Sequence, residues 1–507
     1  MKFKIQEGRL IQDKNGTPIS KLAEIPAIPH NPAFKTDEKL AEMLVGKQLL
    51  TDELPFTLQE IDQHYQNGHI IYRPGIILTG KKPQCARCSN TQTHLFAKFP
   101  CARCKEDCLY CRSCIMMGRI CSCTPLISWQ GPEPPHPQPK VYLKWSGNLS
   151  VGQQAASDRT LQAIHQNNEL LVWAVCGAGK TEVLFAGIDQ ALQAGKRVCL
   201  ATPRTDVVLE LTPRLKKVFP EITVASLYGG SEDRHLYAPL TIATTHQLFR
   251  FYQAFDTVIL DEVDAFPYSV DTTLQYAVQQ ARKPESSMIY LTATPNQKWQ
   301  RDCSSGKRDH VTIPARYHRH PLPVPEYRWC GNWEKLLKKN KLPAPLISWI
   351  NQRIQTSKQI LLFFPRIDIM EAALPLIQKL HPQTDSVHAE DPDRKSIVQK
   401  MRNKETQILL TTTILERGVT FPNIDVAVIG ANHHVFTESA LVQISGRVGR
   451  SADYPNGTIT FFHFGKTEEM IKARNQITRM NREAKQKGLV LYEFFPSRSL
   501  PDLPQRD

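Results

Sequence analysis

A chain of 507 residues is longer than one hydrophobic core supports, so roughly two to four domains are expected. Hydrophobic residues make up 41% and charged residues 22%, which excludes a disordered or fibrous chain. Lysine and arginine (63) outnumber aspartate and glutamate (49), and the formal charge of +14 suits a polyanionic partner such as nucleic acid, or an anionic membrane face.

Residues 1–80 mix short apolar patches with proline and charge and give no firm pattern. The opening MKFKIQEGRLIQDKNG has no apolar h-region, so no secretory leader is expected, and no run approaches the ~18 apolar residues of a membrane span. Nine of the thirteen cysteines then fall between Cys85 and Cys123. In a reducing compartment such a cluster is a metal site rather than a disulfide scaffold or a redox relay. GPEPPHPQPK (131–140) reads as a stiff, extended boundary segment.

From about residue 145 short apolar runs alternate with stretches of helical period: LLVWAV (170–175), KRVCLAT (196–202), FDTVILD (255–261) and SMIYLTAT (287–294). A second series, KQILLFFP (358–365), TQILLTT (406–412) and IDVAVIGA (424–431), repeats the texture. Both predict buried parallel strands between helices, giving two tandem α/β units. The last segment, 467–489, has helical period and is strongly basic, and its plainest reading is a solvated surface helix. The expected division is an unassigned region 1–80, a zinc module 81–126, a Pro-rich linker 127–144, and α/β domains 145–325 and 326–507.

The first strand runs into CGAGKTE (176–182), which with Ala174 forms A-x-x-x-x-G-K-T, the P-loop pattern in its strand–loop–helix context. Gly177, Ala178 and Gly179 would turn backbone amides toward phosphate oxygens. Lys180 would reach the β- and γ-phosphates, Thr181 would ligate Mg²⁺, and Glu182 completes the nucleotide-binding set. FDTVILD ends in DEVD (261–264): Asp261 would hold Mg²⁺, and Glu262 would orient and activate the attacking water. LTAT (291–294), ATPR (201–204) and TIATTHQLFR (241–250) end other strands, and their Thr, Arg and His side chains suit phosphodiester contacts. In QISGRVGR (443–450), Arg447 and Arg450 are expected on the early turn of a helix, facing one direction, to stabilise charge on the transferring phosphate.

AxxxxGKT, DExD, TAT and QxxGRxGR, in this order over about 145–465, resemble the superfamily 2 helicases and translocases. That resemblance implies two RecA-like domains with ATP between them and single-stranded nucleic acid across their top. It also implies that Gln153 of LSVGQQ reads adenine and that Arg417 belongs to the penultimate motif. The cysteine block with YCRSCIMMGR, HPLPVPE (320–326), TTTILERGVTFPN (411–423) and FTESALVQISGRVGR (436–450) together are similar to the ComFA family of late-competence ATPases. The likeness implies a single-stranded-DNA-dependent ATPase, cytoplasmic and peripheral at the inner face of the membrane, driving uptake of transforming DNA. Its implied partners are single-stranded DNA, the late-competence protein ComFC and the machinery that loads recombinase.

The knuckles Cys85-x₂-Cys88 and Cys101-x₂-Cys104 have the spacing that binds Zn²⁺ as thiolates. Cys108, Cys111, Cys114, Cys121 and Cys123 supply four further ligands with one to spare, so two ions are expected; cross-braced and sequential pairings are equally open. Lys98, Arg103, Lys105, Arg112 and Arg119 give the module a basic surface for DNA or a protein partner. Two rival functions are a primosomal or repair helicase, which predicts robust duplex unwinding, and a catalytically silent nucleic-acid-binding scaffold, which the complete set of motor residues opposes.

Overall fold

A computed structural model describes residues 1–80, 82–135, 142–356 and 358–491. Part of the proline-rich segment read as a linker (136–141) therefore lies outside the described residues. Two compact units are present: Met1–Gly147 with Ser157–Leu171 and Leu184–Leu291, and Asn148–Ala156 with Val172–Val183 and Thr292–Asp507.

In the first unit the strands Val224–Leu227, Leu240–Thr244, Val198–Thr202, Phe255–Asp261 and Arg282–Thr292 pair side by side and in parallel. The runs chosen for apolarity are buried along nearly all their length, as strands covered on both faces must be. Such strands read as continuous hydrophobic stretches and are recognisable without any alternation.

Residues 1–80, patternless in sequence, form a body with their own core. Leu40, Leu44, Leu49, Ile61, Tyr65 and Ile70 pack with Ile127 and Trp129 from beyond the cysteine block. The strand Ile70–Pro74 pairs antiparallel with Pro125–Trp129, so the cysteines are an insertion between two paired strands. Helix Leu58–Gln66 opens with a reciprocal cap: Glu60 N–H donates to Thr57 Oγ1 while the Glu60 carboxylate accepts from Thr57 N–H.

This body is fastened to the parallel sheet by buried polar groups. Gln48, 1% exposed, donates through Nε2 to Phe249 O (3.0 Å), Phe251 O (3.3 Å) and Gln280 Oε1 (2.6 Å), and its Oε1 accepts from Arg73 Nη2 (2.6 Å). Arg250 is paired with Glu53. The arginine that closes TIATTHQLFR, read as a backbone-phosphate contact, is thus committed to an internal carboxylate, and the reason is the neighbouring N-terminal body that the sequence did not reveal. Gln48→Leu takes the partner of Arg73 Nη2 and of Gln280 Oε1 away, at about 1–3 kcal/mol per unsatisfied group. We expect a loss of about 3 kcal/mol in the urea unfolding of the first unit; a loss under about 1 kcal/mol would mean that the clasp is solvated.

The second unit carries a six-stranded, all-parallel sheet ordered Glu326–Trp329, Ile459–His463, Ile424–Ile429, Gln359–Phe363, Ile408–Thr411, Thr384–Val387. Trp333 and Trp349 anchor its core, and Trp349 Nε1 donates to Thr460 Oγ1 at 3.0 Å. Gly430 has φ +67°, and a Cβ there would lie 2.2 Å from Trp333, so only glycine fits. The basic C-terminal segment forms the helix Glu468–Gln486, and Met470, Ala473, Ile477, Met480 and Ala484 are buried along one face. It is amphipathic and docked, not merely a solvated helix.

Candidate nucleotide site and metal centres

The P-loop belongs to the second unit. Gly177 and Gly179 hold φ of +82° and +71°, left-handed conformations that let the loop reverse tightly after the strand Glu169–Ala174. A Cβ on Gly179 would fall 2.4 Å from Gln153 Nε2. Gln153, 1% exposed, donates to Ala178 O (2.9 Å) and Gly179 O (3.2 Å) and accepts from Ser150 N–H (2.8 Å). The residue implied as an adenine reader is therefore also the clamp that fixes the loop. Lys180 begins the helix Lys180–Val183 with Thr181 and Glu182.

Within the same unit, Cys176 Sγ donates to Gln443 Oε1 at 3.1 Å, and a Cβ on Gly446 would lie 2.4 Å from Cys176 Cβ. The segment QISGRVGR is thus seated against the P-loop. Its arginines do not lie on the early turn of a helix as expected. The helix Glu438–Ser445 ends before them, with Gly446 as its C-cap. Gly449, at φ +61° and with Pro455 O against the place a Cβ would take, turns the chain away. The two side chains consequently differ. Arg447 is buried and donates through Nε to Glu416 O (3.0 Å) and through Nη1 to Val419 O. Arg450 is half-exposed, with Nη1 3.4 Å from Val419 O and 3.3 Å from Thr420 Oγ1. Arg417, buried, donates to Ser439 Oγ (3.2 Å), which in turn bonds Thr294 Oγ1 (2.9 Å) of the T-A-T stretch.

Sequence reasoning passed over Arg316. It lies with His318 just after the strand His310–Ile313, and both side chains donate to Gly449 O, at 2.5 and 3.1 Å. Burial pushes Arg316 down to about 10, with the neighbouring Arg450 adding to the effect and Cys176 opposing it. Burial, reinforced by Arg316, pushes His318 down to about 4, so its imidazole is neutral. No motif spacing singles out an arginine inside ARYHRH, which reads as one more basic surface run.

In the first unit the strand Phe255–Asp261 delivers Asp261 at its end, where the Asp261 carboxylate accepts from Glu262 N–H (2.8 Å). Glu262 has φ 56°, a left-handed backbone that costs a non-glycine residue about 1 kcal/mol or more.

The cysteine block resolves into two sets of four buried thiols. Cys85, Cys88, Cys111 and Cys114 form one, and Cys101, Cys104, Cys108 and Cys123 the other, with all ligand atoms of a set within 4.8 Å. Sulfur pairs stand at 3.7–3.8 Å in the first set and 3.2–3.7 Å in the second. The edge of a tetrahedron with Zn–S near 2.3 Å is about 3.8 Å, so both donor sets fit zinc. The pairing is interleaved, and Cys121, one of the nine candidate ligands, stands outside both sets, its thiol turned toward Arg119 O at 3.6 Å. Sequence spacing also missed Arg87. Fully buried between Cys85 and Cys88, it donates to the carbonyls of Cys114, Met117 and Gly118 (each 2.6 Å) and to Cys114 Sγ (3.2 Å). Four thiolates around Zn²⁺ leave a net charge of −2, and a buried guanidinium against one sulfur offsets part of it.

Three family profiles match. That described as competence protein ComFA N-terminal domain covers residues 32–128, type III restriction enzyme, res subunit covers 147–297, and helicase conserved C-terminal domain covers 341–452. Competence protein ComFA of Bacillus subtilis (strain 168) is 48% identical over 444 residues, spanning 88% of this chain and 95% of that protein. Its counterpart in Streptococcus pneumoniae (strain ATCC BAA-255 / R6) is 42% identical over 377 residues, spanning 74% and 86%. The ATP-dependent DNA helicase RecG of Streptococcus pneumoniae serotype 4 is 26% identical, over 58% of this chain and 46% of its own length.

Proposed function

The chain belongs to the ComFA family of competence proteins, and from that premise we propose that it is an ATP-driven translocase on single-stranded DNA that draws transforming DNA into the cell. A DNA-dependent, helicase-type ATPase activity comes with its two helicase domains. The observation that carries the finer reading is the completeness of the motor set on two parallel α/β sheets: Lys180, Thr181, Asp261, Glu262, Arg447 and Arg450 are all present, behind a family-specific cysteine domain.

In this mechanism the P-loop amides and Lys180 would bind the phosphates, and Thr181 and Asp261 are the residues that would hold Mg²⁺, which would supply charge neutralisation to the phosphoryl group when bound. Glu262 orients the attacking water and takes its proton. Arg450, with a lightly held guanidinium, suits the developing charge on the γ-phosphate. Arg447, spent on Glu416 O and Val419 O, positions the loop that carries Arg417. Gln153 couples base recognition to loop shape, because its amide already holds the carbonyls of Ala178 and Gly179. The zinc-bearing block serves as a structural clip whose basic rim meets DNA or a partner. ComFC and recombination-loading proteins are the proposed partners. Among the described residues no helix is long and apolar enough to cross a membrane, so placement at its inner face would rest on such a protein contact.

The test is ATP hydrolysis with increasing single-stranded DNA, duplex DNA and RNA, combined with displacement of streptavidin from an end-biotinylated single strand. We expect stimulation on the order of tenfold or more by single strands, and ATP-dependent displacement. A motor that is not stimulated by single strands would refute the reading, and robust unwinding of duplex without displacement would favour a RecG-like or primosomal helicase.

A further inference from the structure

We propose that Arg316 is a ligand of the nucleotide's phosphate chain, presenting Nε and Nη2 to it while Nη1 keeps its bond to Gly449 O. The proposal rests on the reading of CGAGKTE as the nucleotide site and adds a residue that lies in none of the helicase motifs.

Arg316 is 1% exposed, and its side chain lies along the second residue of the loop: a Cβ on Gly177 would stand 3.6 Å from Arg316 Cγ and 3.8 Å from Nε. The neighbouring backbone is pinned there, since Tyr317 N–H donates to Gly177 O at 3.2 Å. Only Nη1 is satisfied, by Gly449 O at 2.5 Å; Nε and Nη2 are buried and have no hydrogen-bond partner. No carboxylate pairs with the group among the described residues, and the ionisable neighbours that act on it are Cys176 of the loop and another cation, Arg450.

A guanidinium stays charged at any physiological pH, and burying it without an anion is costly. A purely mechanical clamp between the loop and Gly449 would need one neutral N–H, which glutamine supplies without that cost. What a charged fork adds is the Nε/Nη2 edge, whose two parallel donors match a phosphate's oxygens. The anion that a P-loop brings to Gly177 is phosphate. Because the same guanidinium also holds Gly449, phosphate binding would be felt directly by the turn that carries Arg447 and Arg450.

The experiment is equilibrium titration of the full-length, zinc-loaded protein with N-methylanthraniloyl-ATP and no DNA, alongside thermal melting with and without ATP. The variants are Arg316→Gln, Arg316→Lys and Lys180→Ala. For Arg316→Gln we expect a dissociation constant raised at least about tenfold, the scale of a lost charge-assisted bidentate contact. Its nucleotide-free melting point should match or exceed that of the parent, since a buried unpaired charge has been removed, while the rise on adding ATP shrinks. Arg316→Lys should also weaken binding, because an ammonium keeps the charge and loses the fork. Affinity within about twofold of the parent in either variant overturns the proposal, as does a lowered nucleotide-free melting point with affinity unchanged. If Arg316→Gln fails to fold, Arg316→Lys decides. Lys180→Ala separates the two layers: if it binds like the parent, the P-loop reading itself has failed, whatever Arg316 does.

Discussion

Lys180→Ala is expected to lose DNA-stimulated ATP hydrolysis by a factor on the order of 10²–10³, the scale of removing one preorganised charge from a transferring phosphoryl group. Glu262→Gln should lose as much turnover for a different reason. It keeps the shape of the strand end, where Glu262 N–H bonds the Asp261 carboxylate, but it cannot accept the water's proton. The two variants therefore separate in binding. Lys180→Ala weakens labelled ATP, whereas Glu262→Gln holds it at least as tightly as the parent and accumulates an unhydrolysed complex. Single-turnover hydrolysis alongside nucleotide titration reads both quantities. A Glu262→Gln enzyme that turns over within about fivefold of the parent would remove Glu262 from the chemical step.

Protein purified without chelator should carry two zinc ions per chain. Cys85→Ser with Cys88→Ser should remove one, Cys101→Ser with Cys104→Ser should remove the other, and Cys121→Ser should leave both. The stability cost of either double variant is large. The second set's buried cluster consists of Cys101, Cys104, Cys108, Cys121 and Cys123, with Phe99 and Tyr110 alone packed against it among the described residues. So little apolar surface cannot hold the segment folded, whereas structural Zn²⁺ in comparable small sites contributes roughly 10 kcal/mol or more of apparent binding energy. Arg87→Met should weaken zinc at the first set by about tenfold, the usual size of an outer-shell effect. Metal analysis after gel filtration and competition with a chromophoric chelator measure these outcomes. One ion per chain in the parent, or retention of both in the Cys101/Cys104 variant, would refute the assignment.

The parallel strands were legible because strands buried on both faces must be apolar throughout, and FDTVILD, KQILLFFP and IDVAVIGA cannot hide among polar residues. The tight turn of CGAGKTE was legible because Gly177 and Gly179 take a backbone sign that glycine alone adopts freely. What escaped was set by distance along the chain. Nothing local says that Ile70–Pro74 closes on Pro125–Trp129, so residues 1–80 looked patternless although they share one core with a strand beyond the cysteines. Cysteine pairing stayed open for the same reason: Cys101-x₂-Cys104 borrows Cys108 nearby but Cys123 from across the block. The arginines of GRVGR were placed on a helix by period alone, while two glycines redirect the chain where the period would have continued. Arg316 and Arg87 were invisible because an arginine's burial is a tertiary fact, and a basic residue read singly defaults to the surface.

The clasp centred on Gln48 also bears on how force passes through the molecule. Phe249, Phe251 and Gln280 are held by the same amide that Arg73 locks to the strand Ile70–Pro74, and Gln280 Nε2 reaches on to Ala86 O between Cys85 and Cys88 of the first cysteine set. The cysteine-rich insertion and the sheet that carries Asp261 therefore share a load path made of direct hydrogen bonds. In the proposed translocase, anything the insertion grips would move with that sheet rather than trail behind it, and a tether spliced in at residue 75 and again at 124 would separate DNA movement from ATP hydrolysis.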